Sequence, residues 1–222
     1  MGAAAKTREI SKTETSDRIV LAAEIEFAER GFDGAGMKAI SQRADVSQAL
    51  LHYHFGSKDQ LYSEVVARRS RMINTERLAL LGEVDLTGPQ AVAGILDALF
   101  RPPLGPAGGD GAYARIFGGL VVGRDRDVAL VREHYDPTAT RFIAALGQAL
   151  PGVSRKPAAH CYRLALGALV VMIGRDGRVE RLMGQDALRD TEEVLRGLIT
   201  FASGGIAALV SEDLNDPNGR MT

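Results

Sequence analysis

The stretch Gly36–Lys58, GMKAISQRADVSQALLHYHFGSK, decides the fold, because it holds two short apolar-periodic helices separated by a tight turn. Met37, Ile40 and Ala44 lie at positions i, i+3 and i+7 of the first helix and give it one buried stripe. Val46 follows the turn and is expected to pack beneath it. This pattern is typical of a helix-turn-helix and indicates a DNA-binding protein.

The second helix of the pair begins after Ser47, whose hydroxyl is a favourable helix cap. Leu51 and Phe55 lie four residues apart and face inward, so the other side chains of this helix are free to approach a DNA groove. Lys58, just after the pair, is expected to contact a phosphate. The candidate DNA-binding residues are Lys38, Ser47, Gln48, Ala49, Leu50, His52, Tyr53, His54 and Lys58.

Helices are expected on both sides of this pair, because two short helices cannot bury enough surface to stand alone. Ser16 caps a first helix whose apolar stripe ends at Gly31, a typical helix stop. Ser57 and Gln60 form a capping box that begins a further helix. The apolar pattern of that helix continues to about Leu81, which is long enough to leave one domain and enter another.

Length and composition fit a soluble two-domain protein of 222 residues, with 45% hydrophobic and 25% charged residues. The single Cys161 excludes an internal disulfide, and the N-terminus lacks the apolar core of a signal peptide, so we expect a cytoplasmic protein. The longest apolar run, 164–173, is far shorter than a membrane span. The expected segments are a flexible arm (1–15), a helix-turn-helix domain (16–66), a helical domain (67–210) and a flexible tail (211–222).

Charge supports DNA binding only locally. Residues 1–70 contain 10 Lys and Arg against 10 Asp and Glu, whereas the helix-turn-helix stretch has a local excess of +2. The arm carries Lys6, Arg8 and Lys12, which either reach around the duplex or form a solvated tail. A subunit with so few phosphate contacts is expected to bind DNA as a dimer.

Over residues 16–66 the chain resembles the tetracycline-repressor (TetR) family of bacterial transcription regulators. The motifs at matching spacing are Ala22-Ala23, Phe27-Ala28-Glu29, Gly31-Phe32, Ile40, Val46-Ser47, Leu51, His54-Phe55 and Ser57-Lys58. Three positions depart from the family pattern: Gly36 replaces a capping Ser or Thr, Asp45 replaces the glycine of the turn, and His52 replaces a phosphate-binding Tyr. Gly and Asp tolerate the backbone that these two positions need, so only the phosphate contacts change.

The C-terminal part is predicted to be helical, with helices at 89–100, 113–122, 128–150, 157–173 and 185–209. The resemblance implies a ligand-binding domain whose last two helices pair with those of a second subunit. Broad apolar faces on these helices favour that pairing; the alternative is that both helices fill the core of one chain. The candidate dimer residues are Leu164, Ala168, Leu169, Met172, Leu195, Leu198, Ala202 and Ile206.

Pro and Gly between residues 101 and 111, and Gly118-Gly119 with Gly123, are expected to interrupt helices and leave a mainly apolar cavity. The chain contains the stretches Arg68-Arg69, Asn74-Thr75-Glu76-Arg77-Leu78, Asp136-Pro137, Arg141-Phe142 and Ala149-Leu150-Pro151. Together they are loosely similar to a fatty-acid-responsive subgroup of the family. That similarity favours an apolar or acyl-chain effector, with Tyr135 and Arg124 near its polar head; core packing is the alternative for each residue. The candidate pocket residues are Phe100, Tyr113, Phe117, Val121, His134, Phe142, Tyr162 and Met172.

No catalytic, metal or cofactor site is predicted. His52 and His54 lie two apart on a helix and point to opposite sides, so they cannot share an ion. Cys161 has no base at a suitable spacing. We therefore expect an all-α, homodimeric DNA-binding regulator, a repressor released from a palindromic operator by a hydrophobic organic ligand. The alternatives are an activator and an effector-independent DNA-binding protein of the same fold.

Overall fold

The computed structural model describes residues 2–109, 111–122, 125–150, 152, 155–174, 181–182 and 190–215, and within these ranges all regular structure is helical. The all-α prediction is thus confirmed. A 3-10 turn covers Pro106–Gly108. The α-helices are α1 (Gly2–Gly34), α2 (Met37–Arg43), α3 (Gln48–Phe55), α4 (Lys58–Gly82), α5 (Ala91–Leu104), α6 (Ala112–Val122), α7 (Asp125–His134), α8 (Asp136–Ala149), α9 (Arg155–Gly174) and α10 (Thr191–Asn215). The chain divides into two compact units, Met1–Ser70 and Arg71–Thr222.

Helix α1 is longer than expected and bends near its end. It begins at Gly2, so residues 2–15 continue the helix where we expect an arm; the flexibility of this segment stays a prediction. Gly31 has φ 67° and ψ 174°, a backbone conformation open almost only to glycine. The expected stop at Gly31 therefore coincides with a kink, after which the last residues lead into α2.

The core of the N-terminal unit gathers the apolar stripes that the sequence predicts. Helix α3 contributes Leu51 and the following helix contributes Leu61 and Tyr62, all of them buried. The rings of Phe27 and Tyr62 meet edge to face with centroids 5.0 Å apart, a favourable aromatic geometry. These contacts hold the two helices of the helix-turn-helix against the helices that flank them.

Two acidic residues of α1, Glu24 and Glu26, are buried. Glu24 forms an ion pair with Arg69 at 2.8 Å. Glu26 is paired with Arg30 at 2.9 Å and with Arg43 at 3.2 Å. Buried carboxylates persist when they are paired in this way, so these arginines account for both residues.

The helix boundaries of the C-terminal unit differ from the sequence prediction at its prolines. Helix α5 continues through Pro102 and Pro103 to Leu104, although a break is expected at residue 101. The predicted helix 128–150 is two helices, α7 and α8, which meet at Tyr135. Pro137 in the first turn of α8 has no N–H to continue a helix, which explains the break.

The glycines of α6 do not interrupt it, since the helix runs unbroken from Ala112 to Val122 through Gly118 and Gly119. This result corrects the expected break there. Gly123 and Arg124, expected to lie near the ligand, are outside the described residues, as are 185–189 of the predicted last helix and the end of the expected tail, 216–222.

Helices α9 and α10 are the two longest apolar helices of the C-terminal unit. The segments Lys156–Gly174 and Thr191–Ser211 are long and apolar enough, by length and composition only, to cross a membrane, which is weak support for a span. The sequence prediction contains no such segment, because it rests on uninterrupted apolar runs and not on windows that tolerate Gly, Ser and Thr.

Candidate DNA-binding surface and effector core

The turn between α2 and α3 has the backbone that the sequence predicts. Gly36 is the N-cap of α2 with extended backbone, φ −116° and ψ 137°. Asp45 has φ 52°, the left-handed conformation that Asp tolerates better than most residues. The Ser47 hydroxyl accepts a hydrogen bond of 3.1 Å from the Leu50 N–H, which confirms the predicted cap. These local features set the direction in which α3 leaves the turn.

Helix α3 presents an exposed face of mixed chemistry. Gln48, Ala49, His52 and Tyr53 are spaced to share one side of the helix, and the Tyr53 residue is 72% exposed. Gln offers an amide, Tyr a hydroxyl and Ala a methyl group, which are groups suited to base edges and the thymine methyl. His54 is only half-buried and lies off this face. The predicted base-reading residues are therefore mostly together.

The His52 ring is held in one orientation by the backbone. Its Nδ1 lies 2.7 Å from the carbonyl oxygen of Gly56. Because a carbonyl only accepts, Nδ1 must carry the hydrogen, which leaves Nε2 for an outside partner. Nε2 is an acceptor in the neutral ring and a donor in the charged one. His52 can thus meet either a base edge or a phosphate from the outer side of α3.

Lys58 has intramolecular partners that the sequence did not indicate. Its Nζ donates to the carbonyl oxygens of Ala35 at 3.0 Å and Asp33 at 3.4 Å, and it lies 4.6 Å from the centre of the Phe32 ring. The ammonium therefore stabilises the carbonyl end of α1, where a positive charge is favourable. A phosphate contact by Lys58 stays a prediction and must coexist with, or replace, these bonds.

The local positive charge is smaller than the residue count suggests. Arg43, part of the counted excess, donates to Glu29 at 2.7 Å and to Glu26 at 3.2 Å. These bonds direct its guanidinium to α1. Lys38 on α2 is exposed and remains a candidate phosphate contact. Any phosphate binding at this surface is therefore expected to depend on few cations.

Two of the eight predicted pocket residues come together at one cavity of the C-terminal unit. Tyr113 and Phe117 line a cavity of about 10 Å³, which has room for about one water molecule. Val121 and Met172 are exposed and do not line this cavity. The remaining predicted residues are also absent from its lining: Phe100, Phe142, Tyr162 and His134. This cavity is too small for an organic ligand; Tyr135, expected near the polar head of a ligand, also lines it.

Two of those residues have other surroundings of interest. Burial raises the pKa of the Tyr162 phenol above its ordinary value, against the effect of nearby Arg77. The backbone carbonyl of His134 accepts a 2.8 Å hydrogen bond from the Asn74 amide. This bond connects the end of α7 to α4. His134 therefore contributes its backbone to the core in this structure.

Arg77, which the sequence did not single out, lines the small cavity and is only 2% exposed. Its Nε donates to the Leu99 carbonyl at 3.0 Å, and its Nη1 lies 3.5 Å from the Asn74 side-chain oxygen. Burial lowers the pKa of the guanidinium below its ordinary value. A single arginine in an apolar helical pattern gives no sequence signal of such burial.

A larger apolar groove of about 660 Å³ lies between α9 and α10. Val171 is 78% exposed and Phe201 is 73% exposed, and neither was predicted to belong to this face. Leu169 and Leu195 are buried but do not line the groove, so we now assign both to the core of their own chain. Cys161 also lines it, with these predicted dimer residues: Leu164, Ala168, Met172, Leu198, Ala202 and Ile206.

Two family models match the chain. Residues 19–65 match the family described as bacterial regulatory proteins, tetR family, and residues 97–205 match the tetracyclin repressor-like C-terminal domain. The two regions fall in the two structural units and together cover more than half of the chain.

Two similar proteins are named as regulators of transcription. The HTH-type transcriptional activator FasR of Mycolicibacterium smegmatis is 26% identical over 199 residues, covering 89% of this chain and 85% of its own. An uncharacterized HTH-type transcriptional regulator of Mycobacterium tuberculosis is 28% identical over 175 residues, covering 76% of this chain and 80% of its own.

Solved structures with the same fold include two TetR-type regulators. PfmR from Thermus thermophilus has a TM-score of 0.62 and 20% identity, with 83% of this chain and 96% of that chain covered. A regulator from a Rhodococcus species has a TM-score of 0.64 and 19% identity, with 87% and 96% covered. At these identities the likeness concerns the fold.

Proposed function

Since the chain belongs to the TetR family of DNA-binding transcription regulators, we propose that it is a homodimeric repressor that a small hydrophobic ligand releases from a palindromic operator. The observation that carries the DNA-binding part is the exposed face of α3 behind the Ser47 cap and the Asp45 turn. An exposed helix held this way can enter the major groove and place its side chains on base edges.

The groove between α9 and α10 supports the homodimer. A contiguous apolar surface of this kind marks an interface in a soluble protein, and two helices from each chain make a four-helix bundle. Dimers of helix-turn-helix proteins present their recognition helices about 34 Å apart, one turn of DNA. A two-fold dimer then selects two half-sites of opposite direction, which is a palindrome.

The closed core of the C-terminal unit bears on how a ligand acts. The cavity beside Arg77, at about 10 Å³, has no room for an organic effector in this state. An effector that binds a rearranged core would shift the protein toward that state and lower DNA affinity by its difference in affinity for the two states. If no ligand opens this core, the alternative of a DNA-binding protein without any effector is favoured.

An activator is the second candidate function, and the name of the FasR relative favours it. Fold and site geometry are compatible with both signs of control, because the sign depends on where the operator lies relative to the promoter. The TetR-family regulators are soluble cytoplasmic proteins, and we place this chain in the cytoplasm. We accordingly propose that the apolar faces of α9 and α10 meet a second subunit and no bilayer.

The test is selection of bound sequences from a random duplex pool by the full-length protein, followed by transcription from a promoter that carries the selected site. We expect an enriched palindrome bound by two chains, and transcription that falls on addition of the protein. A rise in transcription on addition of the protein would contradict the repressor and support the activator. A pool without any enriched sequence would contradict specific DNA binding and so the proposed function.

A further inference from the structure

Among the residues that the structure describes, the guanidinium of Arg77 is a buried charge without a counterion. Within the described part of the chain, no carboxylate forms an ion pair with it. A buried charge ordinarily has an opposite charge beside it, because taking it out of water alone is unfavourable by several kcal/mol. The groups near this guanidinium are three tyrosines, Tyr113, Tyr135 and Tyr162.

Only part of the Arg77 side chain has a structural task. Pro103 cannot donate to the carbonyl of Leu99 four residues earlier, and the Arg77 Nε supplies the missing hydrogen bond at 3.0 Å. A neutral donor would satisfy that carbonyl equally well. Nη2 is buried and has no hydrogen-bond partner among the described residues, so both the charge and this nitrogen remain unexplained.

The cavity beside Arg77 has one polar end and apolar walls. The Tyr113 and Tyr135 hydroxyls, 2.6 Å apart, belong to residues of its lining, as does the guanidinium. Ile73, Phe117 and Ile173 form part of the apolar wall. One cation and two hydroxyls facing hydrocarbon are the features of a site for an acid with an apolar tail.

We propose that Arg77 is the anchor of the effector site and that the effector is a monocarboxylic acid with an aliphatic or aromatic tail. One carboxylate oxygen accepts from Nη2 and the other accepts from a tyrosine hydroxyl of the cavity, while the tail enters the apolar core as it opens. This inference rests on the proposed ligand control and names the chemistry of that ligand.

The charge of the site selects among related molecules. A neutral ester, amide or thioester of the same acid would leave the guanidinium unpaired, and a phosphate dianion would bring more charge than one arginine balances. The state without ligand keeps the unpaired charge, whereas the acid-bound state removes it. Binding of the acid therefore favours the opened core, which is the direction that induction requires.

The experiment uses full-length protein with butyrate, hexanoate, octanoate, decanoate and phenylacetate, each beside its methyl ester. Thermal melting and isothermal titration calorimetry measure binding, and fluorescence anisotropy on the selected operator measures release. We expect the acids to raise the melting temperature and release DNA, with affinity rising with tail length, and the esters to do neither.

Variants assign the effect to the residue. Arg77→Met should bind the acids about 30-fold or more weakly, the usual result of removing one partner of a buried charge pair, and should still bind the operator. Arg77→Lys should retain part of the affinity, since it keeps the charge and loses the planar nitrogens. Arg141→Met removes an exposed arginine of the same unit and should behave as wild type.

Equal binding of acids and esters, or wild-type acid affinity in Arg77→Met, would overturn the proposal. A melting shift with chloride or formate alone, independent of any tail, would mean that Arg77 holds a structural counterion, and would also overturn it. If Arg77→Met fails to fold, the acid and ester comparison on wild type and Arg77→Lys decides. Operator binding that no acid affects refutes this inference alone, whereas absence of operator binding refutes the proposed function.

Discussion

Arg69 holds the carboxylate of Glu24 with two of its nitrogens: Nη2 lies 2.8 Å from each carboxylate oxygen, and Nε lies 3.1 Å from one of them. The two side chains are 6% and 12% exposed, so this is a largely desolvated pair. Burial raises the pKa of Glu24 above its ordinary value, and Arg69 opposes that effect. The pair joins α1 to α4 across 45 positions of sequence.

Glu24→Leu should lower the free energy of unfolding by about 3 kcal/mol, because it removes the carboxylate that balances the largely buried Arg69 charge. The double variant Glu24→Leu/Arg69→Leu should recover most of that loss. Urea unfolding at a fixed protein concentration measures all four proteins of the cycle. If the double variant loses the sum of the stability losses of the two single variants, the two side chains have no coupling energy.

Asp45→Gly and Asp45→Ala should change stability in opposite directions. The left-handed backbone at φ 52° suits glycine and disfavours alanine, so Ala should destabilise by about 1 kcal/mol and Gly should be neutral or slightly stabilising. Both variants remove the same negative charge and should bind DNA slightly more tightly. Thermal melting separates them; an equal effect of the two substitutions would contradict the backbone explanation.

Lys58→Ala and Tyr53→Ala should impair DNA binding in different ways. Loss of the Lys58 phosphate contact should weaken all duplexes alike and reduce the slope of log affinity against log salt by about 0.9 per subunit. Tyr53→Ala should change which base is preferred at one position of each half-site. Anisotropy across a salt series and a set of single-base operator variants measures both effects.

Because Lys58 also binds the carbonyls of Ala35 and Asp33, its substitution needs a control for folding. Lys58→Arg keeps the charge and should retain the salt slope. If both alanine variants bind the operator as wild type does, the DNA-binding assignment of these residues is wrong.

Val171→Asp and Phe201→Asp should produce a folded monomer, because each places a charge in the exposed groove that a second subunit would cover. Leu198→Asp should unfold the chain, since Leu198 is already buried within one protomer. Val128→Asp is the matched control, an apolar side chain 45% exposed outside the groove, and should stay dimeric. If light scattering shows that the wild-type protein is a monomer at micromolar concentration, the proposed dimer is refuted.

Features set by neighbouring residues could be predicted from the sequence. The Ser47 cap, the capping box of Ser57 with Gln60, and the left-handed Asp45 each depend on a few adjacent positions, and the structure contains all three. The break at Pro137 is also local, but the apolar pattern from residue 128 to 150 conceals it. A strong helical periodicity outweighed one proline in the prediction.

Features that join distant parts of the chain could not be predicted. Glu26 meets Arg43, which lies 17 positions away, and Arg77 meets the carbonyl that Pro103 releases. The pocket was predicted only in part for the same reason: Tyr113, Phe117 and Tyr135 do line the cavity, but bulky residues on amphipathic helices reveal which side is buried and not which side chains converge. Six of the eight predicted dimer residues line the groove, because apolar residues at helical spacing on two long helices lie on one face; the pairing of two subunits there stays a prediction.

The placement of Cys161 in the groove gives the molecule a chemical reporter of its own. The chain contains one cysteine, so a thiol reagent has a single target per subunit, and the thiol is buried. Its rate of alkylation measures how often the α9 and α10 surfaces separate or loosen, without any label introduced by mutation. The same rate, followed during titration with DNA or an acid, reports whether events in either unit loosen the packing of α9 and α10 around this thiol.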